Sequence, residues 1–96
     1  MFMDIDVQIY VSNFVKFFTD NPEELQKLIG VAEPNSFFDE VEKAANENYE
    51  KGEDIELTQK QMINIILKLN HMQPEEEVIN LVEPYFETSY GKIFLN

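Results

Sequence analysis

The stretch TQKQMINIILKL, residues 58–69, carries the strongest structural signal in the chain. It opens with the pattern of a capping box, in which Thr58 caps the helix and the Gln61 side chain reaches back to the cap. Residues 62–69 behind this cap are apolar on most sides of a helix. Since a helix that is apolar nearly all round is normally buried, the stretch predicts a central core helix with the rest of the chain packed around it.

Four further helices are predicted on either side of this stretch. Apolar residues recur at helical spacing, and prolines or glycines mark several of the ends. These helices cover about residues 6–20, 22–29, 34–51 and 74–82. Asn21 is expected to cap the second helix. Residues 3–11 also alternate between apolar and polar side chains, so a strand stays open there, although the helical stripe continues through Phe14, Phe17 and Phe18.

Two segments predict a minor β component. Residues 54–57 indicate a short strand, and residues 85–95 indicate a β-hairpin around the turn Ser89-Tyr90-Gly91. We therefore expect a mainly α fold, one domain over residues 1–96 with about five helices, a short strand and a C-terminal hairpin. The order after residue 35 is helix, strand, helix, helix and hairpin, which is the order of a winged-helix module.

The chain is strongly acidic, and this limits its partners. It has 96 residues, with 19 Asp and Glu against 7 Lys and no Arg, for a formal net charge of −12. Direct binding to nucleic acid or to an anionic membrane needs a basic surface, so neither is expected. No apolar run is long enough to span a membrane, and the start of the sequence lacks the basic region of a secretory signal. The chain has no cysteine, and we expect a soluble cytoplasmic protein.

No motif predicts an active site or a cofactor. His71 is the single histidine, so zinc ligands are missing, and the three glycines stand apart rather than forming a phosphate loop. Residues 47–58 around Gly52 fail the calcium-loop pattern, because Tyr49 and Lys51 occupy ligand positions. We expect a protein that is not an enzyme and has no cofactor, with weak divalent-cation binding to the acidic surface as one alternative.

Aromatic residues near the two chain ends are the candidate interface. Such rings either pack in the core or anchor a partner, and we expect the core for most of them. The candidate interface residues are Phe2, Tyr85, Phe86, Tyr90 and Phe94. The candidate acidic surface consists of Glu75, Glu76, Glu77 and Glu83.

These features favour a protein–protein interaction or assembly module. Its partner would be another protein with a basic or apolar surface, or a second copy of the chain. The alternative is an acidic decoy that imitates nucleic acid and blocks a DNA- or RNA-binding protein. The two hypotheses differ in salt dependence, because a decoy is held mainly by charge while an adaptor is held by apolar contacts.

Overall fold

A computed structural model describes residues 5–86 of the chain, and all regular structure in that range is helical. The elements are α1 (Ile5–Asp20), α2 (Pro22–Ile29), α3 (Pro34–Glu50), α4 (Gln59–Leu69), α5 (Glu75–Val82) and a 3₁₀-helix (Glu83–Phe86). The predicted mainly helical fold with five α-helices is confirmed. The ambiguous first segment is helical from Ile5 onward.

The helices enclose one cluster of buried apolar side chains. α1 packs on α3, α3 on α4, α4 on α5, α5 on α2, and α2 returns to α1, so the contacts form a closed circuit. At its centre Phe14, Phe18 and Phe37 are buried, with ring centroids 5.3 to 5.5 Å apart. Such tilted and edge-on aromatic pairs add to the stabilisation from burial itself. The aromatic part of the core therefore lies between α1 and α3.

α4, which the sequence predicts to be the central core helix, packs on α2, α3 and α5. α4 buries Met62, Ile65 and Ile66, but Ile63 and Leu67 on its other sides are only half-buried. These half-buried residues still pack against the rim of the core. A run of apolar residues does not by itself say how many sides of a helix are covered. In α4 the exposed side carries Asn64 and Lys68.

Local signals set most helix ends as predicted. The α4 capping box is present, since the Gln61 N–H donates to Thr58 Oγ1 at 3.1 Å and the Thr58 N–H donates to Gln61 Oε1 at 2.9 Å. Gly30 follows α2 with φ of 62°, a conformation that favours glycine. Asn21 is a correction: its side chain makes no cap bond to α2 and instead donates to the Phe17 carbonyl of α1 at 2.9 Å.

The predicted strand at residues 54–57 is also wrong. No strand occurs within residues 5–86. The backbone of residues 55–57 instead forms hydrogen bonds with side chains. The Leu57 N–H donates to the Tyr10 hydroxyl at 3.1 Å, and the Ile55 and Glu56 carbonyls accept from Asn48 Nδ2 at 3.4 and 3.5 Å. The chain therefore lacks the first strand of the winged-helix order that the sequence suggested.

The predicted C-terminal hairpin falls mostly outside the residues that the structure describes. Its first two residues, Tyr85 and Phe86, belong to the 3₁₀-helix rather than to a strand. The remainder of the hairpin, residues 87–95, lies beyond the described range.

Asn48 connects three parts of the fold. Its side chain is 4% exposed and exchanges two hydrogen bonds with the Gln61 amide, at 2.9 and 3.1 Å. The same Gln61 oxygen accepts from the Thr58 N–H. One buried amide thus joins the end of α3, the loop of residues 51–58 and the cap of α4. Buried polar groups need such partners, because leaving one unpaired costs about 1–3 kcal/mol.

We predict that Asn48→Ala lowers the free energy of unfolding by about 1–3 kcal/mol, because the Gln61 amide and the loop carbonyls lose their partner. Urea denaturation measures this loss. The matched control is Asn64→Ala on the exposed side of α4, which should change stability by less than about 0.5 kcal/mol. Equal losses in the two variants would show that the Asn48 network does not stabilise the fold.

Candidate protein-binding surface

The first turns of α1 and the loop before α4 border a surface cavity of about 270 Å³, which we call the α1 groove. Its lining residues are Asp6, Ile9, Tyr10, Ile55 and Glu56. Ile9 is 52% exposed, and Ile5, one turn earlier on the same face, is 69% exposed. The groove therefore combines the exposed Ile9 and the partly buried Ile55 with a carboxylate on each of its two elements.

Hydrogen bonds hold both sides of the groove in place. Tyr10 is buried, and its hydroxyl accepts the Leu57 N–H, which ties α1 to the loop. Asn48 binds the carbonyls of Ile55 and Glu56, the two loop residues that line the groove. The cavity shape is thus set by contacts inside the protein. A surface that is already ordered loses less conformational entropy when a partner binds.

Burial controls the ionisation of Tyr10. Removal of the ring from water raises the pKa of Tyr10 from 10.0 to about 12; the hydrogen bond from Leu57 lowers this pKa and the negative charge of Glu56 raises it. The phenol is therefore neutral at physiological pH. Among the residues that line the groove, only Asp6 and Glu56 are acidic.

The raised pKa of Tyr10 predicts a loss of stability in alkali. Because the folded pKa lies above the unfolded value of 10.0, stability is complete below pH 10 and falls as the pH rises towards 12. Two pKa units correspond to about 3 kcal/mol. Urea denaturation from pH 9 to 12 should show this decline in the parent chain and a shallower one in Tyr10→Phe, which cannot ionise.

The comparison between the parent chain and its variants carries the result. Tyr49→Phe is the control, because Tyr49 is exposed and its loss should leave the steep decline unchanged. A decline of the same steepness in Tyr10→Phe would contradict the assignment to Tyr10.

A second exposed apolar pair lies on two neighbouring loops, and we call it the loop tip. Val31, after α2, is fully exposed, and Met72, after α4, is 88% exposed. The loops touch near these residues, since Asn70 Nδ2 donates to the Leu28 carbonyl at 3.3 Å and a Cβ at Gly30 would lie 3.3 Å from the Asn70 side chain. The loop tip, Val31 and Met72, shares no residue with the α1 groove.

The aromatic residues predicted as an interface are not brought together as an exposed patch within the described range. Tyr85 is buried, its ring lies 6.0 and 6.2 Å from those of Phe18 and Phe17, and its hydroxyl hydrogen-bonds to Glu24 Oε2. Phe86 is half-buried against the core. Tyr85 thus has the core role expected for most of this set. Phe2, Tyr90 and Phe94 lie outside the described residues.

The four predicted acidic residues are all on the surface. Glu75, Glu76, Glu77 and Glu83 are exposed. The first three form the first turn of α5, where negative side chains stabilise the positive end of the helix dipole. A separate acidic face runs along α3, beside a shallow depression of about 410 Å³. Its lining residues are Asp39, Glu42, Lys43, Asn46, Glu47 and Glu50.

The α1 groove was not predicted from the sequence, although part of it could have been. Ile5 and Ile9 are four residues apart and share a helix face opposite the buried Val7. Two aliphatic residues outside the core stripe of a helix are a usable signal for an exposed apolar surface. The contribution of Ile55 could not be found this way, because it depends on how the loop folds back towards α1.

Within residues 5–86, no group of three or more His, Asp or Glu side chains is placed to hold a metal ion. No helix in the same range is long and apolar enough to cross a membrane. Comparison of the chain with protein-family models, with curated proteins and with solved structures finds no match.

Proposed function

We propose that this chain is a non-catalytic protein-binding module whose partner presents a surface that is both basic and apolar. The α1 groove is the observation that carries this proposal. Single exposed aliphatic residues are common on proteins, but Ile9 and Ile55 line one cavity, and Ile5 is exposed one turn before Ile9. Exposed apolar patches can mark interaction sites, and the anchor residues of a partner often fill pockets.

The size of the cavities favours a side chain as the ligand. The α1 groove has about 270 Å³, and the depression along α3 has about 410 Å³. Small-molecule sites generally have about 300–1,000 Å³ and enclose most of their ligand. The α1 groove lies just below this range and is open to solvent, so it suits one or two side chains from a protein partner.

The charge of the chain favours a basic partner. A formal net charge of −12 attracts positively charged surfaces over a distance of about 10 Å at moderate salt. Such steering raises association rates and disfavours acidic partners. As expected from the sequence, we also propose that the protein is cytoplasmic and has no enzymatic activity.

A decoy for nucleic acid is the second candidate, and the acidic face of α3 favours it. Asp39, Glu42, Glu47 and Glu50 line one depression along a single helix, with Lys43 as the only base among its lining residues. A row of carboxylates can compete with phosphates for a basic protein surface. In this case the partner would be a nucleic-acid-binding protein, and apolar contacts would contribute little.

A pull-down from lysate of the source cells separates these functions. The immobilised chain should retain a stoichiometric partner at about 0.1 M salt and keep most of it at about 1 M, because apolar contacts are insensitive to screening. Double-stranded DNA should not displace this partner. The control bait is an unrelated folded protein of similar size and net charge.

Other outcomes of the pull-down contradict the proposal in different ways. A nucleic-acid-binding protein that is lost at high salt and displaced by DNA would establish the decoy instead. If both baits retain the same proteins, the binding reflects charge alone. The absence of a partner in either wash would count against both functions.

A further inference from the structure

We propose that the α1 groove takes one large aliphatic or aromatic side chain from a partner segment that carries Lys or Arg next to that residue. This inference rests on the proposed function and gives the chemistry of the segment that the module recognises.

The apolar part of the recognition comes from Ile9, Ile55 and the ring of Tyr10. Tyr10 is buried and Ile9 is about half exposed, so an incoming side chain would cover aliphatic surface that now faces water. A closed apolar cavity of about 150 Å³ is large enough for benzene. The groove, at about 270 Å³, therefore has room for a leucine or phenylalanine side chain.

The charged part comes from Asp6 on α1 and Glu56 on the loop. Both residues line the groove, so the neighbours of an inserted side chain would lie near these carboxylates. Acidic neighbours would meet like charge from two directions, whereas Lys or Arg would meet opposite charge. The pair of carboxylates therefore selects for basic residues beside the anchor.

A second copy of the chain is a poor occupant for the groove. It would bring another formal charge of −12 towards the same two carboxylates. In a symmetric dimer both partners would contribute the same acidic groove, which places like charges opposite one another. Charge complementarity thus favours a different, basic protein.

Two short capped peptides test this inference on the full chain. One has a central leucine between pairs of lysines, and the other has alanine in place of leucine. Fluorescence anisotropy should show that the leucine peptide binds ~10-fold more tightly, because only leucine fills the groove. Amide chemical shifts of Ile9, Tyr10 and Ile55 should move with the leucine peptide.

Variants locate the site of binding. Ile9→Ser should abolish the preference for leucine, while Val31→Ser, which removes an exposed apolar residue of the loop tip, should retain it. The double variant Asp6→Asn with Glu56→Gln should weaken binding by ~3-fold or more and flatten its salt dependence. The double variant Glu76→Gln with Glu77→Gln is the control for a general loss of charge. Circular dichroism confirms that each variant is folded.

Several results would overturn the inference. Equal affinities for the two peptides, or an unchanged leucine preference in Ile9→Ser, would mean that charge alone holds the peptide. Leucine-peptide binding that appears only in Phe2→Ser would assign the groove to residues 1–4 of the chain itself. Self-association that depends on Ile9, measured by sedimentation, would assign it to a second copy. If the partner from the pull-down still binds Ile9→Ser, the proposed function is supported but this inference is wrong.

Discussion

The side-chain amides of Asn48 and Gln61 exchange two hydrogen bonds at the place where α3, the following loop and α4 meet. Each amide makes further hydrogen bonds, since Asn48 shares its other N–H between two loop carbonyls and Gln61 caps α4. Polar groups in such a position stabilise one arrangement of the backbone, because any other arrangement leaves them unpaired in a medium of low dielectric constant. The loop that forms one side of the α1 groove therefore has a fixed path, even though it contains no regular secondary structure.

The sequence predicts those parts of the fold that depend on neighbouring residues. The capping box at Thr58 is fully local, and the helical stripe through Phe14 and Phe18 needs only the periodicity of one helix. Both predictions are correct for this reason. Asn21 shows the limit of local reasoning, since the side chain of a cap residue between two helices can bond to either one. Here the side chain bonds to α1, and only the backbone carbonyl accepts from α2.

Neither the absence of the strand nor the presence of the groove could be predicted in the same way. Residues 54–57 have an extended pattern, but their hydrogen bonds go to Tyr10 and Asn48, and Tyr10 lies 47 residues away from Leu57. No local pattern contains that pairing. The groove needs the same long-range contact, because it exists only where the loop meets α1. Tyr85 is similar, since its burial depends on the packing of α1 and on the hydroxyl bond to Glu24.

In the proposed complex, the acidity of the chain and the groove would contribute to different steps of binding. Charge acts at a distance and changes mainly how fast a partner arrives, while buried apolar contacts change how long it stays. The excess of carboxylates destabilises the folded chain by self-repulsion, and an exposed ion pair such as Lys68 with Glu40 at 3.0 Å offsets little of it. A basic partner would relieve part of this repulsion on binding. Binding and folding are linked in such a case, so the folded state should gain most from a partner that places positive charge beside Asp6 and Glu56 and an apolar side chain between them.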